Sequence, residues 1–383
     1  MCHAFSFNLR INGGKRMITV SLCMIVKNEE DVLERCLNSV KGLMDEIIIV
    51  DTGSTDKTKE IARKFTDKIY DFEWIDDFSA ARNYAFQQAT KEYIFWMDAD
   101  DVMVEQEKFK RLKEELSSKV DAVSMLYHIA FDEYNNPTFS YRRNRLVKRE
   151  KNFVWKGAVH EYLEVSGQIL ESDIALIHRE ENKEGKKPSD RNLRIYEKRL
   201  ANGDTFTPRD VFYFANELRD HRQFEKAIEL YEKFLQMEQG WKEDKIRACI
   251  HMASCYRALG NMEKEIDYLL KSIDYDVPRP EVSCRMGDLY LERGLYDKAI
   301  MWYELAIMAD TSKIQGFVQT AYSTWYPCLQ LCVCHWHKGN KELAIEYNKK
   351  AKEFRPNDPA VQYNEQFFSK EKSKAKEKNE VKK

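Results

Sequence analysis

Acidic residues end an apolar run in the stretch YIFWMDADD, where one residue separates Asp98 from Asp100 and Asp101 follows directly. Carboxylate oxygens are the ligands that Mg²⁺ and Mn²⁺ prefer, and two of them at the end of a strand suit a cation that bridges two phosphates. An acidic turn exposed to solvent is the other interpretation, because Asp is common in turns. The spacing alone leaves both open.

Two other apolar runs also end in polar residues. Asn28 and Glu29 follow TVSLCMIV, and Asp51 follows EIIIV. Ligands of open parallel sheets bind outside the carboxyl ends of the strands, so we expect these side chains to share one crevice. The first run is not followed by G-x-G-x-x-G or by a Walker A lysine, which excludes a dinucleotide cradle and a P-loop there.

Short apolar runs alternate with helical patterns near residues 31–40, 55–65 and 79–89. This rhythm predicts an α/β domain with a mostly parallel, Rossmann-like sheet. From residue 121 to about 178 the pattern changes to the strand-like pieces AVSMLYHIAF, SYRRNRLV and IALIH. We expect them to form an antiparallel extension on the acceptor side.

The second half reads as helix and contains repeats. Gly260 and Gly294 occupy equivalent places 34 residues apart, Gly339 follows after an insertion, and HRQFEKAI ending at Ile228 gives a fourth copy. A period of 34 is that of the tetratricopeptide repeat, an all-α solenoid of helix pairs.

These patterns divide the chain into five segments. We expect a non-native or disordered extension at 1–16 with a native start at Met17, a catalytic domain at 17–185, a linker helix at 186–209, helical repeats at 210–359, and a charged, largely disordered tail at 360–383.

Composition limits the partners. The 62 basic and 64 acidic residues nearly cancel, so no global field recruits nucleic acid. No apolar run reaches the ~20 residues that span a bilayer, which predicts a cytoplasmic protein without a transmembrane segment. The nine scattered cysteines indicate reduced thiols.

Three stretches together resemble glycosyltransferase family 2 with its GT-A fold: SLCMIVKNEEDVLERCLNSV, EIIIVDTGSTDKT and DDFSAARNYAFQQATKEYIFWMDADD. The resemblance covers residues 19–178. The repeats behind it narrow the likeness to the subgroup of sublancin-type peptide S-glycosyltransferases.

The resemblance implies a role for each site residue. Asp51 would accept a hydrogen bond from the donor's base, which favours uracil because its N3 carries a proton. The implied nucleotide-sugar-binding residues are Asn28, Glu29, Asp51, Arg82, Asn83 and Asp98. The implied ligands of Mn²⁺ or Mg²⁺ are Asp98, Asp100 and His178.

The stretch VWKGAVHEYLE resembles the family's glycine loop and acidic catalytic motif. Glu161 falls on the position of the general base, but His160 stands where many members carry Glu, and it could itself be the base or a metal ligand. Between this stretch and the metal motif lie Arg142, Arg143 and Arg145, which could face the diphosphate or alternate on a solvated strand.

The sequence thus predicts a metal-dependent inverting enzyme that moves a hexose or N-acetylhexosamine from a UDP-sugar to a peptide or protein. A cell-envelope glycan or a lipid-linked acceptor is the alternative within the family, and the chain could form a homodimer. Two rivals remain: a nucleotidyltransferase, which would carry a basic glycine-rich loop where KNEEDVLERC stands, and a non-catalytic repeat scaffold with a relic front domain.

Overall fold

The computed structural model of the protein describes residues 17–132, 137–179, 189–311, 314 and 318–380, with side chains as far as residue 373. The predicted extension at 1–16 lies outside these residues, as does the start of the predicted linker. Contacts divide the chain into two units: Met1–His128 with Arg142–Glu184, and Ile129–Tyr141 with Gly185–Lys383.

Strands and helices alternate through the first part of the first unit. They are β1 (Val20–Val26), α1 (Leu33–Ser39), β2 (Glu46–Asp51), α2 (Thr58–Arg63), β3 (Ile69–Asp71), α3 (Phe78–Gln87), β4 (Tyr93–Trp96), β5 (Asp101–Met103) and α4 (Gln106–Glu115). β1 is parallel to β2 and to β4, and β2 is parallel to β3. Nearly every residue of β1 is buried, as a strand covered on both faces requires. The predicted parallel α/β sheet is confirmed.

Three of the five later strands extend the same sheet. They are β6 (Ala122–Phe131), β7 (Pro137–Lys148), β8 (Val154–Lys156), β9 (Tyr162–Glu164) and β10 (Ile169–His178). The sheet order is β3-β2-β1-β4-β7-β6-β10-β5, while β8 and β9 form a separate hairpin. β7 is antiparallel to β4 and β10 to β5, but β10 is parallel to β6. The expected antiparallel extension is therefore mixed, because β10 returns along the sheet in the direction of β6.

Helices dominate the second unit. They are α5 (Arg191–Ala201), α6 (Pro208–Asp220), α7 (Phe224–Gln236), α8 (Lys242–Ala258), α9 (Met262–Lys271), α10 (Pro280–Leu291), α11 (Tyr296–Met308), α12 (Trp325–His337), α13 (Lys341–Phe354) and α14 (Pro359–Glu380). A two-residue strand, β11 (Val318–Gln319), pairs with residues 139–140 of β7.

Successive helices pack as pairs from α6 to α13. A Cβ added to Gly287 on α10 would lie 2.6 Å from the ring of Tyr303 on α11, so only glycine lets these two helices approach so closely. Gly260, Gly294 and Gly339 end α8, α10 and α12 with positive φ, where glycine is favoured. The predicted helical repeats are confirmed.

The predicted disordered tail is wrong for its first part. α14 begins at Pro359, and Val361 and Phe368 are buried against α12 and α13. Their spacing of seven residues places them on one face of a helix. The many charged residues beyond Ser369 favoured disorder and made this short apolar pattern easy to overlook.

The eight cysteines that the structure describes are free and buried. Among the described residues, no helix is long and apolar enough to cross a membrane.

Candidate functional site

The loops after β1 and β2 are joined by hydrogen bonds. Asn28 adopts a left-handed backbone with φ of 56°, its side-chain oxygen accepts from the Thr55 N–H over 2.8 Å, and its own N–H donates to Ser54 Oγ over 2.9 Å. The Glu29 N–H donates to Thr58 Oγ1 over 2.7 Å. Both residues therefore help to shape the rim of the predicted crevice.

Asp51 ends β2 and has only 1% of its surface exposed. Its Oδ1 accepts from the N–H groups of Gly53 and Ser54 over 3.0 and 2.9 Å, and Lys59 Nζ lies 3.9 Å from the same oxygen. Its Oδ2 is buried and has no hydrogen-bond partner among the described residues. A buried carboxylate oxygen without a hydrogen-bond partner is uncommon in folded proteins.

Asp100, Asp101 and His178 come together at the end of the sheet. Each offers one ligand atom, and these atoms lie within 4.8 Å of one another. β10 and β5 pair so that His178 stands opposite Asp101, which explains how a late histidine reaches the acidic turn. The His178 Nδ1 lies 3.4 Å from Asp100 Oδ1 and 3.1 Å from Tyr127 Oη.

Hydrogen bonding to Asp100 and then to Asp101 raises the pKa of His178 to about 10. The imidazole therefore carries a proton at neutral pH in this arrangement. A histidine that ligates a cation has lost that proton, so a cation and a proton compete for the same three side chains.

Asp98 lies outside this group of three side chains, and its role as a metal ligand stays a prediction. Its Oδ1 accepts from Arg82 Nη2 over 2.7 Å, and its Oδ2 lies 3.7 Å from Arg143 Nη1. Burial raises the pKa of the Asp98 carboxyl, but the charges of Arg82, Arg145 and Arg143 outweigh it and hold that pKa well below its usual range. Asp101 takes its place beside the histidine.

Arg82 lies between two carboxylates. Its Nε donates to Glu161 Oε1 and its Nη2 to Asp98 Oδ1, each over 2.7 Å. Its guanidinium carbon stands 5.1 Å from the ring centre of Trp96 and 4.8 Å from that of Trp155. A contact of Arg82 with the nucleotide stays a prediction, since its guanidinium is occupied by protein carboxylates here.

Asn83 forms two hydrogen bonds with the backbone of Trp155. Its Nδ2 donates to the Trp155 carbonyl over 3.0 Å, and the Trp155 N–H donates to its Oδ1 over 2.8 Å. Both ends of the amide thus hold β8 against α3. A contact of Asn83 with the nucleotide stays a prediction, since both ends of its amide are occupied by the protein backbone here.

The turn between β8 and β9 carries both candidates for the general base. Gly157 has φ of 96° and His160 has φ of 52°, a conformation that residues other than glycine seldom adopt. The Phe78 N–H donates to the Ala158 carbonyl over 2.9 Å, which ties this turn to the start of α3. The Glu161 side chain is 12% exposed and His160 is half-buried.

The three arginines of β7 divide between the two faces of the sheet. Arg142 donates to the Ser172 carbonyl over 2.9 Å. Arg143 and Arg145 point the other way, with guanidinium carbons 5.0 and 3.9 Å from the ring centre of Trp96. Strand alternation could have predicted this division, but it could not reveal that Arg145 is fully buried.

Residues 21–164 match the family described as Glycosyl transferase family 2, and residues 246–276 and 280–313 match the tetratricopeptide repeat. Residues 21–164 form a glycosyltransferase family 2 domain. This domain, with its GT-A-like mixed sheet, contains Asp51, Arg82, Asp98, Asp100 and Glu161, whereas His178 lies just beyond the matched range.

Two curated relatives match parts of the chain. The chain is 29% identical over 224 residues to the SPbeta prophage-derived glycosyltransferase SunS of Bacillus subtilis, covering 56% of this chain and 53% of SunS. It is 37% identical over 155 residues to a TPR repeat-containing protein of Synechococcus elongatus, covering 40% of this chain and 37% of that protein. The matches therefore span about a third to a half of these relatives.

Solved structures resemble parts of the chain at low similarity. The S. aureus TarS 1-349 structure in complex with UDP-GlcNAc is 15% identical with a TM-score of 0.38, covering 65% of this chain and 89% of TarS. The MamA structure is 22% identical with a TM-score of 0.34, covering 43% of this chain and 86% of MamA.

Proposed function

We propose that the protein is a metal-dependent, inverting glycosyltransferase that transfers a hexose or N-acetylhexosamine from a UDP-sugar to a peptide or protein side chain. The observation that carries the proposal is the group formed by Asp100, Asp101 and His178. Asp100 and Asp101 lie in the family 2 domain and His178 lies just beyond it, near the carboxyl ends of the strands, where ligands of such sheets bind.

The donor's base is read by Asp51. Its Oδ1 already accepts two backbone N–H groups, so one oxygen is left for the base. Uracil presents a single N–H at N3, which suits one acceptor. Guanine presents two neighbouring N–H donors and would need both oxygens, and cytosine has no proton at N3 to donate.

The donor set suits a hard divalent cation. Two carboxylates and one imidazole on neighbouring strand ends match the ligands that Mn²⁺ accepts readily and Mg²⁺ accepts through oxygen. Asp100, Asp101 and His178 would hold the cation. When bound, the cation supplies Lewis-acid stabilisation of the departing diphosphate.

The transfer step needs a base on the acceptor side. Glu161 accepts the proton of the acceptor's hydroxyl or thiol as that atom bonds to the anomeric carbon, and the bond from this carbon to the β-phosphate oxygen breaks. UDP leaves with the electron pair of that bond. One displacement of this kind inverts the anomeric configuration.

The repeats recruit the acceptor. Stacked helix pairs make an extended surface, a shape that suits a polypeptide better than a small molecule. Among the aromatic residues of the repeats, Phe214 is buried and Tyr256 stacks on Tyr268 with ring centres 5.4 Å apart. Tyr213 lies under the Arg209 guanidinium at 4.5 Å and is half-buried, which makes it a better candidate for contact with a chain.

The test is the release of UDP from a panel of UDP-sugars, with Mn²⁺ and a library of peptides that contain Ser, Thr and Cys. We expect release that depends on the peptide and stops in EDTA. Release of pyrophosphate from a nucleoside triphosphate would favour a nucleotidyltransferase. No turnover with any donor, together with peptide binding, would favour a scaffold.

A further inference from the structure

We propose that Arg82 is a positioning residue for the catalytic carboxylate: it holds Glu161 in place and ties it to Asp98. The inference rests on the proposed function, in which Glu161 is the base. It differs from a nucleotide-binding role because it assigns the arginine to the acceptor side of the reaction.

Four contacts fix the guanidinium. Its Nε and Nη2 donate to Glu161 and Asp98 over 2.7 Å each, and the planes of Trp96 and Trp155 flank it. The two indoles stand 4.7 Å apart at their ring centres, nearly perpendicular to each other. The planar fork of an arginine between such rings has little freedom to move.

This placement orients the Glu161 carboxylate. Its Oε1 accepts from Arg82 Nε, so Oε2 is left to face the acceptor. Arg82 thus sets the orientation of the carboxylate, whereas the backbone of the turn at His160 sets only the position of the residue.

The hydrogen bond from Arg82 to Asp98 fixes the orientation of the guanidinium. The Asp98 carboxylate lies 3.7 Å from Arg143 Nη1. The Asp98 backbone N–H donates to Asp101 Oδ2 over 3.1 Å, which holds Asp98 in place within the acidic turn. Arg82 therefore connects the turn that carries the metal-ligating residues with the turn that carries the base.

A double-mutant cycle tests this role in the full-length protein. The variants are Arg82→Gln, Arg82→Lys, Glu161→Gln and the combination of Arg82→Gln with Glu161→Gln. Turnover is measured as UDP released from UDP-N-acetylglucosamine and UDP-glucose with Mn²⁺ and the peptide library. Arg142→Gln is the matched control, because that arginine lies on the other face of β7 and donates to backbone carbonyls.

If Arg82 acts through Glu161, Arg82→Gln lowers kcat by ~10–100-fold in the parent but by less than ~3-fold in the Glu161→Gln background, as expected of residues that act as a unit. Arg82→Lys recovers part of the loss, since an ammonium can pair with one carboxylate, and Arg142→Gln keeps the parental kcat. If Arg82→Gln does not fold, Arg82→Lys replaces it in the cycle.

Equal loss of kcat in both backgrounds, or an unchanged kcat in the parent, would overturn the role of Arg82 and leave the proposed function standing. An unchanged kcat in Glu161→Gln alone would instead remove Glu161 as the base, and with it that part of the proposed function.

Discussion

Arg145 and Asp101 form an ion pair in which neither side chain reaches solvent, with Nη1 and Oδ2 2.9 Å apart. The arginine also stacks on Trp96 and Tyr127, at 3.9 and 4.5 Å from their ring centres. The same oxygen of Asp101 accepts from the Asp98 N–H over 3.1 Å. The pair therefore fixes the acidic turn after β4.

Removing one member of this pair is expected to destabilise the first unit strongly. Asp101→Asn leaves the Arg145 charge buried, and breaking a buried pair from one side typically costs ~3–5 kcal/mol in the free energy of unfolding. Urea denaturation measures this change. Arg143→Met, which alters a more exposed arginine on the same face, is the control and should cost less than ~1 kcal/mol. Similar losses for both variants would contradict the assignment.

A buried carboxyl in the repeats predicts a pH effect. Burial raises the pKa of Asp244 to about 6, although Arg209 and Arg247 act against it. The folded state therefore binds this proton more tightly than the unfolded chain, whose pKa is ~3.9, and stability falls as the pH rises from ~4 to ~6.

Asp244→Asn removes this penalty. We expect the variant to exceed the parent in the free energy of unfolding by ~1–3 kcal/mol at pH 7.5 and to lose most of that advantage at pH 4. Denaturation at the two pH values measures the difference. A variant less stable than the parent at pH 7.5 would show that the carboxylate makes a favourable interaction instead.

The order of strands and helices could be predicted from the sequence because apolar runs and helical periods are local signals. Asp51 and Asp100 were found for the same reason, since each stands where an apolar run ends. The parallel pairing of β10 with β6 could not be predicted, because strand direction depends on contacts far apart in the chain.

The pairing of charged residues in the site could not be predicted from the sequence. The spacing of Asp98 and Asp100 predicted two metal ligands, but in the structure Asp98 accepts a hydrogen bond from Arg82 and Asp101 lies beside His178. Asn83 follows Arg82 directly, yet one step along a helix turns it toward the backbone of Trp155. The hydrogen-bond partners of these side chains depend on contacts between distant parts of the chain, so no local sequence pattern predicts them.

Metal and donor are expected to bind together. The acidic turn is already neutralised in part by arginines, so a cation alone should bind weakly and the donor's diphosphate should complete its ligands. Calorimetry should show UDP affinity at least ~10-fold higher with Mn²⁺ than with EDTA. In Asp100→Ala we expect this enhancement and the transfer activity to disappear. The thermal midpoint of unfolding of the variant checks that it is still folded. Equal UDP affinity in Mn²⁺ and EDTA would contradict the metal site.

The base is tested by two substitutions side by side. Glu161→Gln should keep UDP affinity while kcat for transfer falls by ~10²–10⁴-fold, the usual contribution of general-base catalysis. His160→Gln should retain most of the activity if the histidine only shapes the turn. The opposite result, with a large loss in His160→Gln and a small one in Glu161→Gln, would assign the proton transfer to His160.

The anomeric configuration of the product tests the central claim most directly. The protein is incubated with Mn²⁺, an α-linked UDP-sugar and an accepted peptide, and the coupling constant of the anomeric proton is read by NMR. A single displacement assisted by Glu161 predicts a β-linked sugar on the peptide and no product in EDTA. An α-linked sugar, or the same yield in EDTA, would contradict a metal-dependent inverting glycosyltransferase.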